Sequence, residues 1–142
     1  GPLNRTDAMF LLPVTASAIR PSRDLNCIFG VVCSDFGNKK ELLAPEYAGS
    51  LVELLKAGSV PKEEYGKLTS EGVIQIENPL IYEITYTTEK NKIQWSYIKR
   101  FIITDSYIYQ FNIGAKTRNT EQLKYESTIF FDSIEIKNKT GE

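Results

Sequence analysis

None of the 142 residues is a histidine, so any acid–base or nucleophilic chemistry falls to carboxylates, thiols and phenols. The closest carboxylate pairs are Glu63-Glu64 and Asp132 with Glu135. Two carboxyl groups held in unlike environments can divide acid and base roles, as hydrolases require. Acidic neighbours on a surface more often stay ionised and solvated. A cysteine nucleophile needs an adjacent base, usually histidine. Cys27 and Cys33 therefore read as small apolar core residues. On a single strand they lie roughly 20 Å apart, beyond disulfide reach unless Gly30 turns the chain back. Two thiols do not make a zinc site. Asp35 and Asn38 supply two side-chain oxygens to the turn Asp35-Phe36-Gly37-Asn38, too few for calcium. The nine glycines are scattered and form no phosphate-cradling loop. The residue types thus point to a non-enzymatic protein without cofactor or metal.

Aromatic residues are the stronger signal. Tyr82, Tyr86, Trp95, Tyr97, Tyr107 and Tyr109 fall in three runs that alternate by twos: 81–87, 93–103 and 107–113. A strand sends successive side chains to opposite faces, so these runs predict an antiparallel meander turning at Glu89-Lys90-Asn91-Lys92 and at Asp105-Ser106. Tyr82 and Tyr86 share a face. So do Trp95 and Tyr97, and so do Tyr107, Tyr109 and Phe111. Such rings build cross-strand pairs and core. A cluster left exposed would serve as a partner site, because Tyr and Trp are enriched at interface hot spots. Trp95, Tyr97, Tyr107 and Tyr109 are the candidate partner-binding residues.

Several elements must hold that meander. Met9-Phe10-Leu11-Leu12, stopped by Pro13, reads as a first strand, and Pro21-Ser22-Arg23-Asp24 as a turn. The unbroken apolar run 27–32 suggests a strand covered on both faces. Residues 45–57 predict a helix, with Pro45 at its first position and a stripe of Tyr47, Ala48, Leu51, Val52, Leu54 and Leu55. Gly58 is placed to cap its end. Residues 72–76 form a short strand closed by Asn78-Pro79. A second helix spans 120–131, capped by Asn119 with Gln122 in the box position, and turns Leu123, Ile129 and Phe130 to the sheet. The expected fold is α+β: an antiparallel sheet of about six strands flanked by two helices. Residues 9–137 form one domain between tails at 1–8 and 138–142. Gly1-Pro2-Leu3 reads as the remnant of a cleaved tag, which leaves the compartment open between cytoplasm and export.

Lys plus Arg number 17 against 18 Asp plus Glu, a net charge of −1. That balance lacks the basic excess of nucleic-acid binders. No run reaches the roughly 20 apolar residues of a membrane span.

The strands 84–87, 98–103 and 107–115, with the closing run Phe130-Phe131-Asp132-Ser133-Ile134-Glu135-Ile136, resemble the PsbP-like superfamily, which includes the Mog family of Ran-binding proteins. The resemblance spans mainly residues 45–136. It implies an α/β/α sandwich that works as a binding platform, since members bind a GTPase, a photosystem or secreted effectors. The expected function is a protein-binding module of adaptor, chaperone or immunity type using an aromatic sheet face. The alternatives are a carrier of a small apolar ligand between sheet and helix, and a carboxylate-dependent hydrolase.

Overall fold

The computed structural model describes residues 14–22, as backbone, and residues 26–136. Strands β4 (Leu80–Lys90), β5 (Ile93–Ile103) and β6 (Tyr107–Lys116) carry the three alternating sequence runs, β2 (Cys27–Asp35) carries the unbroken apolar run, β3 (Lys67–Gln75) is longer than the short strand expected at 72–76, and β1 (Val14–Ser22) adds a sixth strand. Together they make one antiparallel sheet in the order β1-β2-β6-β5-β4-β3. Strands β3 to β6 form a meander of consecutive hairpins. The β1–β2 hairpin docks on it through β2 and β6, where Ile28 faces Gly114 and Asp35 faces Tyr107.

The strand expected at Met9–Leu12 lies outside the described residues. Pro21 and Ser22, expected in a turn, instead end β1. An edge strand has one row of backbone groups with no strand partner, so a residue lacking an N–H is tolerated there. β2 is less covered than its apolar run suggests. Cys27 and Ser34 are buried, and the residues between them are half-buried. Gly30 stays within the strand, and the two cysteines are not joined by a disulfide.

Helix α1 (Ala48–Ser59) follows two short 3₁₀ segments, Lys40–Leu43 and Pro45–Tyr47. It buries Leu51, Val52, Leu55 and Ser59. These meet Ile84, Tyr86, Phe101, Ile103 and Ile108 from the sheet. Tyr47, expected in the apolar stripe, is exposed because it belongs to the preceding 3₁₀ turn. Gly58 does not cap the helix. The helix runs one residue further, and Val60 leaves it extended at φ −94°, ψ 105°. Val60 precedes Pro61, and a residue before proline is pushed from helical to extended backbone.

Helix α2 (Thr120–Asp132) lies on the opposite face. It joins Leu123 and Phe131 to Cys27, Ile102, Phe111, Ile113 and Ala115. Successive residues of β5 therefore feed separate cores, Phe101 under α1 and Ile102 under α2. Asn119 makes no side-chain cap bond, because a 3₁₀ turn at Thr117–Asn119 already leads into the helix. Ile129 points outward, 51% exposed, and Phe131 takes the inward place. At 100° per residue, Leu123, Ser127 and Phe131 share a stripe that Ile129 misses.

Candidate functional site

The four candidate aromatic residues do not form one surface. Trp95 pairs with Lys116 and Tyr97 with Gly114, which places both rings on the α1 face. Ile102 pairs with Tyr109, so Tyr109 and Tyr107 lie on the α2 face. The cause is the length of the β5–β6 turn. Thr104 and Tyr107 close a two-residue loop through Thr104 N–H donating to the Tyr107 carbonyl at 2.9 Å. An even loop sets odd residues of one strand against even residues of the next. Same-parity residues on these two strands therefore face opposite ways.

Trp95 and Tyr97 belong to a packed column. Tyr97 stacks on Tyr86 with centroids 4.9 Å apart and planes inclined by 16°, and Trp95 stacks beyond it at 6.5 Å. Burial pushes the Tyr97 phenol upward, and a hydrogen bond with Thr88 partly offsets that rise. Asn112 Nδ2 donates to the Tyr86 hydroxyl at 3.4 Å. These contacts make Tyr97 a core ring rather than a free platform.

Tyr107 and Tyr109 begin an aromatic row on the other face. Their centroids lie 5.9 Å apart, and Tyr109 stacks on Phe111 at 6.2 Å. Helix α2 covers the inner end of the row. Phe130 meets Phe111 at 6.2 Å and Phe29 at 5.0 Å. Arg100 lies 4.5 Å from the Phe131 ring centre and pairs with Glu83 at 2.6 Å. The outer end, at Tyr107 and Tyr109, remains half-buried. Burial raises the Tyr109 phenol, with smaller contributions from Cys33, Tyr107 and Asp35.

That outer end opens into a cleft of about 1420 Å³ at one end of the sheet. Leu43, Leu51, Val52, Leu80 and Ile103 line it from the α1 side. Tyr107, Tyr109, Cys33 and Ile136 line it from the α2 side. Val73, 54% exposed, and Ile76, 78% exposed, stand at its mouth.

Three local devices shape the cleft. Asp35 Oδ1 accepts the Gly37 N–H at 2.7 Å, which closes the turn that follows β2. Phe36 N–H donates to the Ser106 carbonyl at 2.7 Å and ties that turn to the β5–β6 loop. Gln75 Nε2 donates to the carbonyls of Glu77 and Pro79 at 3.2 and 2.8 Å, holding the turn that carries Ile76. The Asn78-Pro79 peptide bond in this turn is cis.

A polar network fastens α1 over the sheet. Lys56 pairs with Glu53 at 2.8 Å and with Glu71 of β3 at 2.7 Å. The Tyr82 hydroxyl donates to the same Glu71 oxygen at 2.5 Å. These two bonds, Lys56 first, hold the Glu71 carboxyl below its ordinary range. Near the helix end, Ser59 donates to the Leu55 carbonyl and accepts from Lys99 at 3.2 Å.

Asp132 and Glu135 are exposed at and just beyond the end of α2. Among the described residues, no three His, Cys, Asp or Glu side chains converge to hold a metal, and no helix is long and apolar enough to cross a membrane. Val73 and Ile76 were not singled out by sequence reasoning. Their signal was the apolar residues Val73, Ile74 and Ile76 leading into the Asn-Pro turn, at the end of a strand that has no outer partner among the described residues.

No family model matches the chain, and no curated protein does. Solved structures that share its fold include two proteins. One is PA94, a protein of unknown function from Pseudomonas aeruginosa, at TM-score 0.60 and 12% identity, covering 90% of this chain and 85% of its own. The other is LpqN of Mycobacterium tuberculosis, a protein involved in cell envelope biogenesis. Its TM-score is 0.50 at 12% identity, over 82% of this chain and 76% of its own. At that identity the likeness extends to the fold alone.

Proposed function

We propose that this chain is a non-enzymatic protein-binding module whose partner seats in the cleft between α1 and the Tyr107–Tyr109 row. One observation carries the reading: Ile76 and Val73 stand exposed at the mouth of a cleft whose lining is largely apolar. Exposed apolar side chains that continue into an apolar concavity mark interaction sites. Of the four aromatic candidates, Tyr107 and Tyr109 belong to this surface, while Tyr97 packs against the core and Trp95 stacks on Tyr97. The PsbP-like resemblance fits such a platform, with helices on both faces and a binding edge between them.

The test compares baits in a pull-down from cells of the source organism, quantified by mass spectrometry. Wild type, Ile76→Asp and Tyr109→Ala are each checked for thermal stability. A protein recovered by wild type and lost with Ile76→Asp at unchanged stability supports the module. A thermal midpoint raised by fatty acids or lipids, with no protein depleted by the variants, assigns the cleft to a small apolar ligand. Turnover on an ester or glycoside panel, abolished by Asp132→Asn, assigns the chain to the hydrolases.

A further inference from the structure

We propose, resting on the cleft reading above, that the segment seated there is a cationic amphipathic peptide of a protein partner. Its apolar side chains would fill the cleft and its Lys or Arg residues would meet the rim. Among the described residues, the lining includes four carboxylates, Asp35, Glu53, Glu77 and Asp105, and no Lys or Arg. The whole sequence is almost balanced, 17 cations to 18 anions, so this one-sidedness is local.

The cation paired with Glu53 does not cancel it. Lys56 is shared between Glu53 and Glu71, one positive charge for two negative ones. Glu77 and Asp105 sit exposed on the two turns that flank the mouth, the β3–β4 turn and the β5–β6 turn. Rim charges of one sign select partners of the other and speed their encounter, while the apolar floor supplies the holding contacts. The same carboxylates repel an anionic membrane surface, which separates a basic peptide from a lipid bilayer as occupant.

The probes are two designed peptides with leucines at helical spacing, one with lysine at every other position and one with glutamate. Binding to the full chain is measured by calorimetry at about 0.05 M and about 0.5 M salt, conditions that shorten the screening length severalfold. The lysine peptide is expected to bind at least tenfold more tightly at low salt and to lose most of that advantage at high salt. Each rim charge is worth up to about fivefold. The Glu77→Lys, Asp105→Lys double variant should therefore erase most of the preference with its thermal midpoint unchanged. The control reverses charges outside the cleft, Glu89→Lys with Glu121→Lys, and should leave the preference intact.

Equal binding of both peptides, or an equal loss in the control, overturns the charge inference. In that event a weakening of both peptides by Ile76→Asp leaves the cleft itself standing. No measurable binding of the lysine peptide, or uptake of the protein by phosphatidylglycerol vesicles, overturns the peptide as occupant.

Discussion

The ring of Tyr97 lies over Gly114, its direct cross-strand partner, in the space that a side chain at position 114 would fill. A Cβ there would overlap the ring edge. An aromatic side chain covering a strand glycine repairs the packing that glycine leaves open. Gly114→Ala should lower stability by about 1–3 kcal/mol, the range for overpacking a filled core. Tyr97→Ala should cost about 3 kcal/mol. In the Tyr97→Ala background, however, Gly114→Ala should cost almost nothing, because the space is then vacant. Urea denaturation of the four proteins measures the coupling. Additive losses would show that the ring does not rest on the glycine.

Glu71 makes stability depend on acid. Its folded value is depressed by Lys56 and Tyr82, so its contribution is fully present above the unfolded value of about 4.3 and is lost as pH falls through the folded one. The urea midpoint of wild type should fall below that pH more steeply than that of Glu71→Gln. Parallel curves from pH 6 to pH 2 would rule out the linkage.

The β4–β5 turn holds Asn91 at φ 53° and Lys92 at φ 65° between the paired residues Lys90 and Ile93. A two-residue loop with both φ values positive is the type I′ turn, for which Asn-Gly is the preferred pair. Lys92 carries a Cβ where glycine would carry none. Lys92→Gly should raise stability by about 1 kcal/mol, read as a higher urea midpoint. A lower midpoint would mean that unfolded-chain entropy outweighs the relief.

The two thiols should report different parts of the molecule. Burial raises both, with Glu126 adding to the effect at Cys27 and Asp35 at Cys33. Both should react slowly with a disulfide reagent near neutral pH. Cys33, half-buried at the cleft wall opposite Tyr109, should react first. Cys27 should wait for unfolding. Labelled Cys33 should also block whatever the cleft binds. One fast phase for both thiols would contradict the burial of Cys27.

Periodicity made the meander and both helices legible, because those segments place their apolar residues by local geometry. Trp95, Tyr97, Tyr107 and Tyr109 were found by the same rule, and their division between faces was within reach. Reading Asp105-Ser106 as a two-residue turn fixes the register, and the register separates the pairs. The cleft was not legible in this way. Leu43, Ile76, Ile103 and Ile136 come from four separate stretches of chain, and no local pattern signals their convergence. Pro21 misled for a different reason, since proline breaks strands in general and is tolerated at an edge that only the topology reveals.

The pairing of β2 with β6 sets a timetable. Residue 28 must wait for residue 114 before its strand acquires its inner neighbour. At ordinary rates of synthesis that interval is roughly five to fifteen seconds. During it the first hairpin leaves the ribosome with an unpaired inner edge, while β3, β4 and β5 zip together by short-range turns. The sheet therefore closes from its C-terminal side, and the last hairpin to be made receives the first.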